Sequence, residues 1–457
     1  MQKKLTGVAG FGRRILRRVM YMLRSVWSEI RLPTFPKVEH DMKTDVLIVG
    51  GGMAGLLTAH LLRQAGVDCV LVEAERICRG VTQNTTAKVT VQHGLCNHKL
   101  CRRFGDETAH LYHRANEMAL ERFRQEAEGI DCDWETQDHL VYSCSAPETL
   151  EQELTALQRI GIEADFAEQL PLPFPTAGAV RFKNQAQFHP LKFAAAIVDG
   201  LRIFERSPVR AFEGSTAVTE AGRIRAEKVV IATHFPILNK HGAYFLKLYQ
   251  SRAHVLAVEG RLPAQGMYLG ADRDGLSFRS HKGLLLIGDS GHRTGKTEHG
   301  WEQLEAFVRD AFPASPVRYR WAAQDCMTLD GMPYVGQYGK NTPDLYVAAG
   351  FNKWGMTGSM TAAMLLQDLL CDKENHYTEI FSPRRSMLRP QLLVNGVESM
   401  VNLATPTLPR CPHMGCALKW NRQERSWDCP CHGSRFSEHG ELLDGPSTGD
   451  LKHIPKR

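Results

Sequence analysis

Two short boxes near the C-terminus hold the residues best suited to chemistry: Cys411-Pro-His413-Met-Gly-Cys416 and Cys429-Pro-Cys431-His432-Gly-Ser434, with fifteen residues between His413 and Cys429. Thiolates and imidazoles at such spacing bind metal. Cys411 and Cys429 on one iron, with His413 and His432 on the other, would hold a 2Fe-2S cluster. Replacing two anionic sulfurs by neutral nitrogens raises its reduction potential well above that of an all-cysteine cluster. The same four residues could instead hold a structural zinc ion. Zinc, however, gives no role to Cys416 and Cys431, one in each box, or to the glycines.

A second constellation lies near the start of the globular part. Asp45-Val-Leu-Ile-Val-Gly50 reads as a buried parallel strand, and Gly50-Gly-Gly52-Met-Ala-Gly55 opens a helix running to Gly66. Gly50 permits a tight turn, Gly52 lets backbone approach a pyrophosphate, and Gly55 lets the helix pack on the strand; phosphates then meet the helix's free N–H groups. A second strand, Asp68-Cys-Val-Leu-Val-Glu73, ends in a carboxylate eighteen residues past Gly55, placed to accept a ribose hydroxyl. The pattern alone does not choose between FAD and a nicotinamide dinucleotide. Lys228 to Thr233 and Leu345 to Gly350 read as further buried strands, and the latter enters a second glycine turn, Gly350-Phe-Asn-Lys353-Trp354-Gly355-Met356, before a helix from about Thr357 to Leu370. A helix N-terminus aimed at a flavin there would stabilise negative charge near N1 and the C2 carbonyl on reduction.

The chain resembles FAD-dependent oxidoreductases of the D-amino-acid oxidase and glycine oxidase superfamily, in the branch with a C-terminal Rieske domain. The resemblance spans roughly residues 27 to 450 and rests on Thr82 to Gly94, Gln187-Phe-His-Pro-Leu, Ala232-Thr-His, Gly291-His-Arg-Thr-Gly295, Gln324-Asp325, Asp330 to Gly336, the Gly350 turn and Trp427 to Phe436. It implies a Rossmann-like α/β FAD-binding domain interleaved with an α+β substrate domain, plus a small all-β Rieske domain. It further implies that Thr85, Thr86, Ala87, Lys88, Gln92 and His93 lie by the flavin, together with Lys353, Trp354, Gly355 and Met356, and that Val209 meets the adenine half through its backbone. Cys416 and Cys431 correspond to the cysteines that form a disulfide between the two cluster loops in Rieske domains. Cys326 lacks the spacing of a covalent flavin attachment site and reads as a buried, inert thiol.

Two departures from the Rieske pattern stand out. Phe436 replaces a tyrosine whose hydroxyl donates to a ligand sulfur, which places the potential in the lower part of the Rieske range. Only about 25 residues separate Pro383-Arg384-Arg385 from Cys411, so the base sheet is either abbreviated or supplied by packing on the flavin domain.

The expected substrate is a small amine or amino acid. Arg279, His292 and Arg293 fall in the region where the superfamily builds its substrate pocket, and a fixed arginine suits a carboxylate. The expected reaction is a two-electron oxidation at FAD, followed by single-electron transfer to the cluster and on to an unidentified acceptor. Hydroxylating chemistry would need a mononuclear iron on two histidines and a carboxylate, and the sequence offers no such local group. The alternative is an electron-transfer or redox-sensing module at a membrane surface, without a substrate of its own.

Three segments position these groups: residues 1–44, a basic segment and linker; residues 45–390, the flavoenzyme; and residues 391–457, the cluster domain. FAD-binding parts are expected at about 45–100, 185–235 and 325–385, and substrate parts at about 101–184 and 236–324. The formal charge is +6, yet residues 1–31 carry eight Lys and Arg against Glu29, so the remainder is near neutral and nucleic acid is not an expected partner. Val8, Phe11, Ile15, Val19, Met22, Val26 and Ile30 share one helical face opposite Arg13, Arg17, Arg24 and Arg31. Residues 5–31 therefore read as an anchor on anionic lipid or as a helix packed on its own enzyme. Eight further cysteines lack pairwise pattern, which suits a cytoplasmic protein, associated at most with the membrane's inner face.

Overall fold

The computed structural model describes residues 24–238, 241–296 and 300–453. The first sheet runs in the order Tyr334–Gln337, Leu345–Ala349, Arg223–Ile231, Met42–Val49, Cys69–Val72, Arg202–Phe204, with the last five strands parallel. Its centre is almost unbroken Val, Ile and Leu because both faces are covered, one by helices and the other by residues that include Val209, Ala217, Phe235 and Tyr338. Met53–Gln64 and Gly355–Leu370 pack against each other and carry the apolar residues of the main core. Every strand and helix expected around the two glycine turns forms, with ends shifted by a few residues. The long amphipathic stretch from Glu107 to Glu126 is the helix Asp106–Ala127.

The second sheet has ten strands, with Leu248–Glu259 paired along most of its length to Val317–Thr328. The chain crosses between the sheets repeatedly, so the flavin and substrate domains are interleaved rather than consecutive.

The cluster domain is a four-stranded antiparallel sheet, Lys419–Asn421, Ser426–Asp428, Arg435–Ser437 and Leu442–Asp444. Between Pro383 and Cys411 the chain forms the helix Pro390–Ala404 and no strand, and that helix is held by the flavin domain through Asn395.

Residues 1–23 lie outside the described residues, so most of the basic amphipathic pattern is untested. Its last part does not continue as a helix. Val26–Glu29 form a single 3₁₀ turn, and the chain runs on without helix through Pro33 and Pro36. Trp27 is buried in the flavin-domain core, its indole N–H donating to the Thr85 carbonyl at 2.7 Å. Here the packed reading holds: a buried indole needs a partner for its N–H, and the flavin domain provides one. Among the described residues, no helix is long and apolar enough to cross a membrane.

Candidate functional site

Glycine chemistry explains the first turn. A Cβ on Gly55 would sit 1.9 Å from the Gly50 carbonyl oxygen, so helix and strand meet only because that side chain is missing. Gly52, by contrast, leaves open space, the nearest atom to a Cβ being Thr82 Oγ1 at 3.6 Å. That cradle beside the start of Met53–Gln64 suits a pyrophosphate. The Glu73 carboxylate accepts from Gly51 N at 2.6 Å and Glu75 N at 2.9 Å, and burial pushes its pKa up against these bonds. Val209 is buried in the same apolar cluster as Val72.

The two flavin-side stretches come together although more than 250 residues separate them. Thr357 Oγ1 donates to the Thr90 carbonyl at 2.8 Å and accepts from Thr90 N at 3.0 Å. The His93 ring stacks on Trp354 with centroids 4.9 Å apart. His93 Nε2–H donates to Thr90 O, so Nδ1 accepts from the Tyr112 hydroxyl at 2.7 Å, and burial keeps the ring neutral with a pKa near 3. Gln92 is buried and donates to Val180 O at 2.9 Å. In the second turn Asn352 and Lys353 both adopt positive φ, and Lys353 Nζ lies 3.4 Å from Asp325.

The three substrate-region candidates do not converge. Arg279 is fully buried under Trp27, donating to the Thr86, Ala87 and Phe188 carbonyls at 2.7, 2.8 and 3.4 Å. It thus holds the stretch that carries Thr85 to Lys88. His292 stacks on His254 at 5.7 Å. Arg293 turns to the cluster domain, donating to the Pro430 and Cys431 carbonyls, each at 3.0 Å.

Beside Arg279, Lys88 is half-buried, with its ammonium on Tyr268 O at 2.8 Å and Ser277 Oγ at 2.9 Å; desolvation, then Arg279, pushes its pKa down to about 7. The unfolded chain keeps that proton up to about 10.4. Stability should therefore rise with pH between about 7 and 10 as folding ceases to bury a charge. Thermal denaturation of wild type and Lys88→Met checks this. The wild type should gain a few degrees on the variant between pH 6.5 and 9.5, and parallel curves would refute it.

At the cluster end, each box folds into a tight loop. Gly415 N bonds Cys411 O at 2.8 Å in one, and Gly433 N bonds Cys429 O at 2.9 Å in the other. The His413 and His432 rings meet edge to face at 4.9 Å. Burial lowers their pKa values to about 3 and about 4, keeping the neutral form that ligation requires. His432 Nε2–H donates to the Phe245 carbonyl at 3.0 Å, which leaves the buried Nδ1 as an acceptor with no hydrogen-bond partner among the described residues. A histidine that binds metal through one ring nitrogen needs such a free lone pair there and such a hydrogen bond from the other nitrogen to fix the ring. Cys416, Cys429 and Cys431 have Sγ atoms within 4.8 Å of one another, and all twelve cysteines are free thiols here. Cys416 and Cys431, the two cysteines that the resemblance pairs, thus lie side by side across the two loops.

Phe436 is fully buried in the small core that also holds Cys411 and Cys429. Phe436→Tyr would add a donor beside the cluster and is expected to raise its midpoint potential. A redox titration followed by electron paramagnetic resonance checks this, and an unchanged potential would contradict it.

The model for FAD dependent oxidoreductases matches residues 45–369. The chain belongs to that family. Residues 403–455 match the Rieske [2Fe-2S] domain. The chain is similar to the Rieske 2Fe-2S iron-sulfur protein YhfW of Bacillus subtilis (strain 168), at 33% identity over 93% of this chain and 96% of that one. It is 23% identical to gamma-glutamylputrescine oxidoreductase of Escherichia coli (strain K12), over 74% of this chain and 85% of that protein. Glycine oxidase from Geobacillus kaustophilus shares the fold with a TM-score of 0.64 at 21% identity, covering 76% of this chain and 99% of that one. The protein is thus an FAD-dependent oxidoreductase that also carries a Rieske 2Fe-2S cluster.

The interface between the two domains, which has no local sequence motif, is polar and buried. Gln250 Nε2 donates to the His432 and Gly445 carbonyls at 2.8 and 2.9 Å. Gln324 Nε2 donates to Gly433 O and Gln250 Oε1, each at 2.8 Å. Gly433 has φ +86°, and a Cβ there would meet Gln250 Cβ at 2.6 Å, so glycine permits the close approach. Alongside, Glu424 is clamped between Arg252 and Arg435, all three nearly buried. Burial pushes the Glu424 carboxyl up, but Arg252 and Arg435 hold it well below the usual range.

Proposed function

We propose that the protein oxidises a small amine or amino-acid-like substrate at FAD and passes the electrons singly through the Rieske cluster to an acceptor. What supports this most directly is the shared strand Val317–Thr328. Its Gln324 holds the cluster loop at Gly433, while the adjacent Asp325 contacts Lys353 of the flavin-side turn. A second link runs through residues 232–235. The Ala232 carbonyl packs on Gly50, and the Phe235 ring lies 6.2 and 6.1 Å from those of His413 and His432.

FAD supplies the two-electron acceptor for a hydride, and the cluster supplies a one-electron outlet. In this reading Gly50, Gly52, Gly55, Glu73 and Val209 hold the nucleotide half of FAD. The stretches Thr85 to Lys88, Gln92 to His93 and Gly350 to Met356 hold its ring, and Arg279 keeps the first of these in place. Cys411, His413, Cys429 and His432 hold the cluster, and Cys416 and Cys431 form the bond between its loops. Lys88 is a cation without a carboxylate on its ammonium beside that stretch, suited to a substrate carboxylate or to negative charge on the reduced ring. The amine class rests on the relatives, whose names include an amine oxidoreductase and a glycine oxidase. A cytoplasmic setting fits the eight free cysteines outside the cluster domain.

The test is an anaerobic screen of amines and amino acids. A true substrate should bleach the flavin absorbance and then produce the signal of the reduced cluster. A protein whose two centres respond only to chemical reductants would be a redox module without a substrate.

A further inference from the structure

The helix Pro390–Ala404 is built inside out. Its two buried side chains are asparagines. Asn395 Oδ1 accepts from Arg293 at 2.9 Å and its Nδ2 donates to Leu246 O at 3.2 Å, while the Asn402 carbonyl accepts from Ala417 N at 3.0 Å. The polar face thus grips both domains, and the apolar face turns outward. Leu393, Val397, Met400 and Val401 are 73, 54, 63 and 57% exposed, and their spacing makes one stripe. Leu388 and Leu408, just before and just after the helix in sequence, are 83 and 66% exposed, and Met414, beside His413, is exposed too. A helix on a water-exposed surface normally has the opposite polarity, and a contiguous apolar patch of this size marks a contact surface.

Charge identifies the contact. Residues 384–414 contain four arginines; Arg385 is ion-paired with the buried Asp330, which leaves Arg384, Arg389 and Arg410 against one acid, Glu398, itself paired with Lys296. The 23 residues preceding the described chain carry six Lys and Arg and no Asp or Glu, among apolar residues. They join the fold at Arg24, which bridges to Arg320 on the same strand whose Gln324 holds the cluster loop, a span of roughly 13 Å. A basic, apolar stretch of sequence thus enters the fold on the strand that also holds the cluster loop. A second copy docked face to face would set like charges against each other.

We propose that the outward face of Pro390–Ala404, with Leu388, Leu408 and Met414, seats the protein on an anionic lipid surface. Apolar side chains enter the headgroup boundary while arginines meet lipid phosphates. This seating does not depend on the proposed reaction. If that reading also holds, the His413 side of the cluster faces the bilayer.

The test uses full-length holoprotein and sedimentation with vesicles of phosphatidylcholine, with and without phosphatidylglycerol. Wild type should sediment with the anionic vesicles and be released by salt. Val397→Glu/Val401→Glu should weaken that partitioning at least about tenfold. Both side chains are exposed, so flavin and cluster spectra and melting temperature should not change. Arg384→Gln should weaken binding to anionic vesicles only. Undiminished binding by the double variant would overturn the proposal, as would a wild type that ignores vesicles. So would a wild-type dimer that the double variant dissociates, because a second copy would then own the face.

Discussion

Glu424→Gln is expected to disconnect the two redox centres while leaving both in place. The substitution removes the buried carboxylate between Arg252 and Arg435, whose side chains are 7 and 6% exposed; Arg435 keeps Asp428 and Asp444 at 3.0 Å, but Arg252 is left with Asp444 at 3.8 Å. Breaking a buried ion pair on one side costs about 3–5 kcal/mol, chiefly because unpaired charge stays buried. Here that cost falls on the domain interface. Stopped-flow absorbance with substrate should show flavin bleaching at nearly the wild-type rate and cluster reduction slowed at least about tenfold, while dithionite still reduces the cluster at once. Equal slowing of both steps would mean that the pair serves overall folding instead. A carboxyl held below its unfolded pKa contributes stability above that unfolded value and loses it only as pH falls through the folded one. The dock should therefore persist well into the acid range.

Gly55→Val should abolish FAD binding. With a Cβ 1.9 Å from Gly50 O, the turn and the helix cannot both keep their places, and no flexible side chain is there to yield. Purified variant protein should lack flavin absorbance. Gly52→Ala guards against mere misfolding: its added methyl meets nothing closer than 3.6 Å within the protein, so melting should barely change while FAD affinity falls. Full FAD occupancy in the alanine variant would refute the cradle at Gly52.

Both glycine turns, their strands and helices and the two cluster boxes were legible in the sequence because each is local. A strand, a glycine and a helix follow one another, or four ligands lie within 22 residues. The destinations of Arg279, His292 and Arg293 were not legible. All three fall in one stretch of sequence, but tertiary packing decides whether an arginine meets solvent, backbone carbonyls or another domain. The amphipathic reading of residues 24–31 failed for a similar reason, since Trp27 finds its partner 58 residues away. One signal for the interface was present. Gln250, Arg252 and His254 alternate along a strand otherwise rich in apolar residues, which puts three polar groups on one face. All three are buried, and such a stripe requires a polar partner to cover it.

That cover carries a kinetic consequence. On the proposed route, a cluster domain pinned by Gln250, Gln324, Arg293 and the Glu424 clamp would keep the gap between the two centres constant at every turnover. Solvent viscosity, which retards enzymes whose cluster-bearing heads must diffuse between donor and acceptor, should leave the internal step of this one untouched. Only the final hand-over to the outside would feel it.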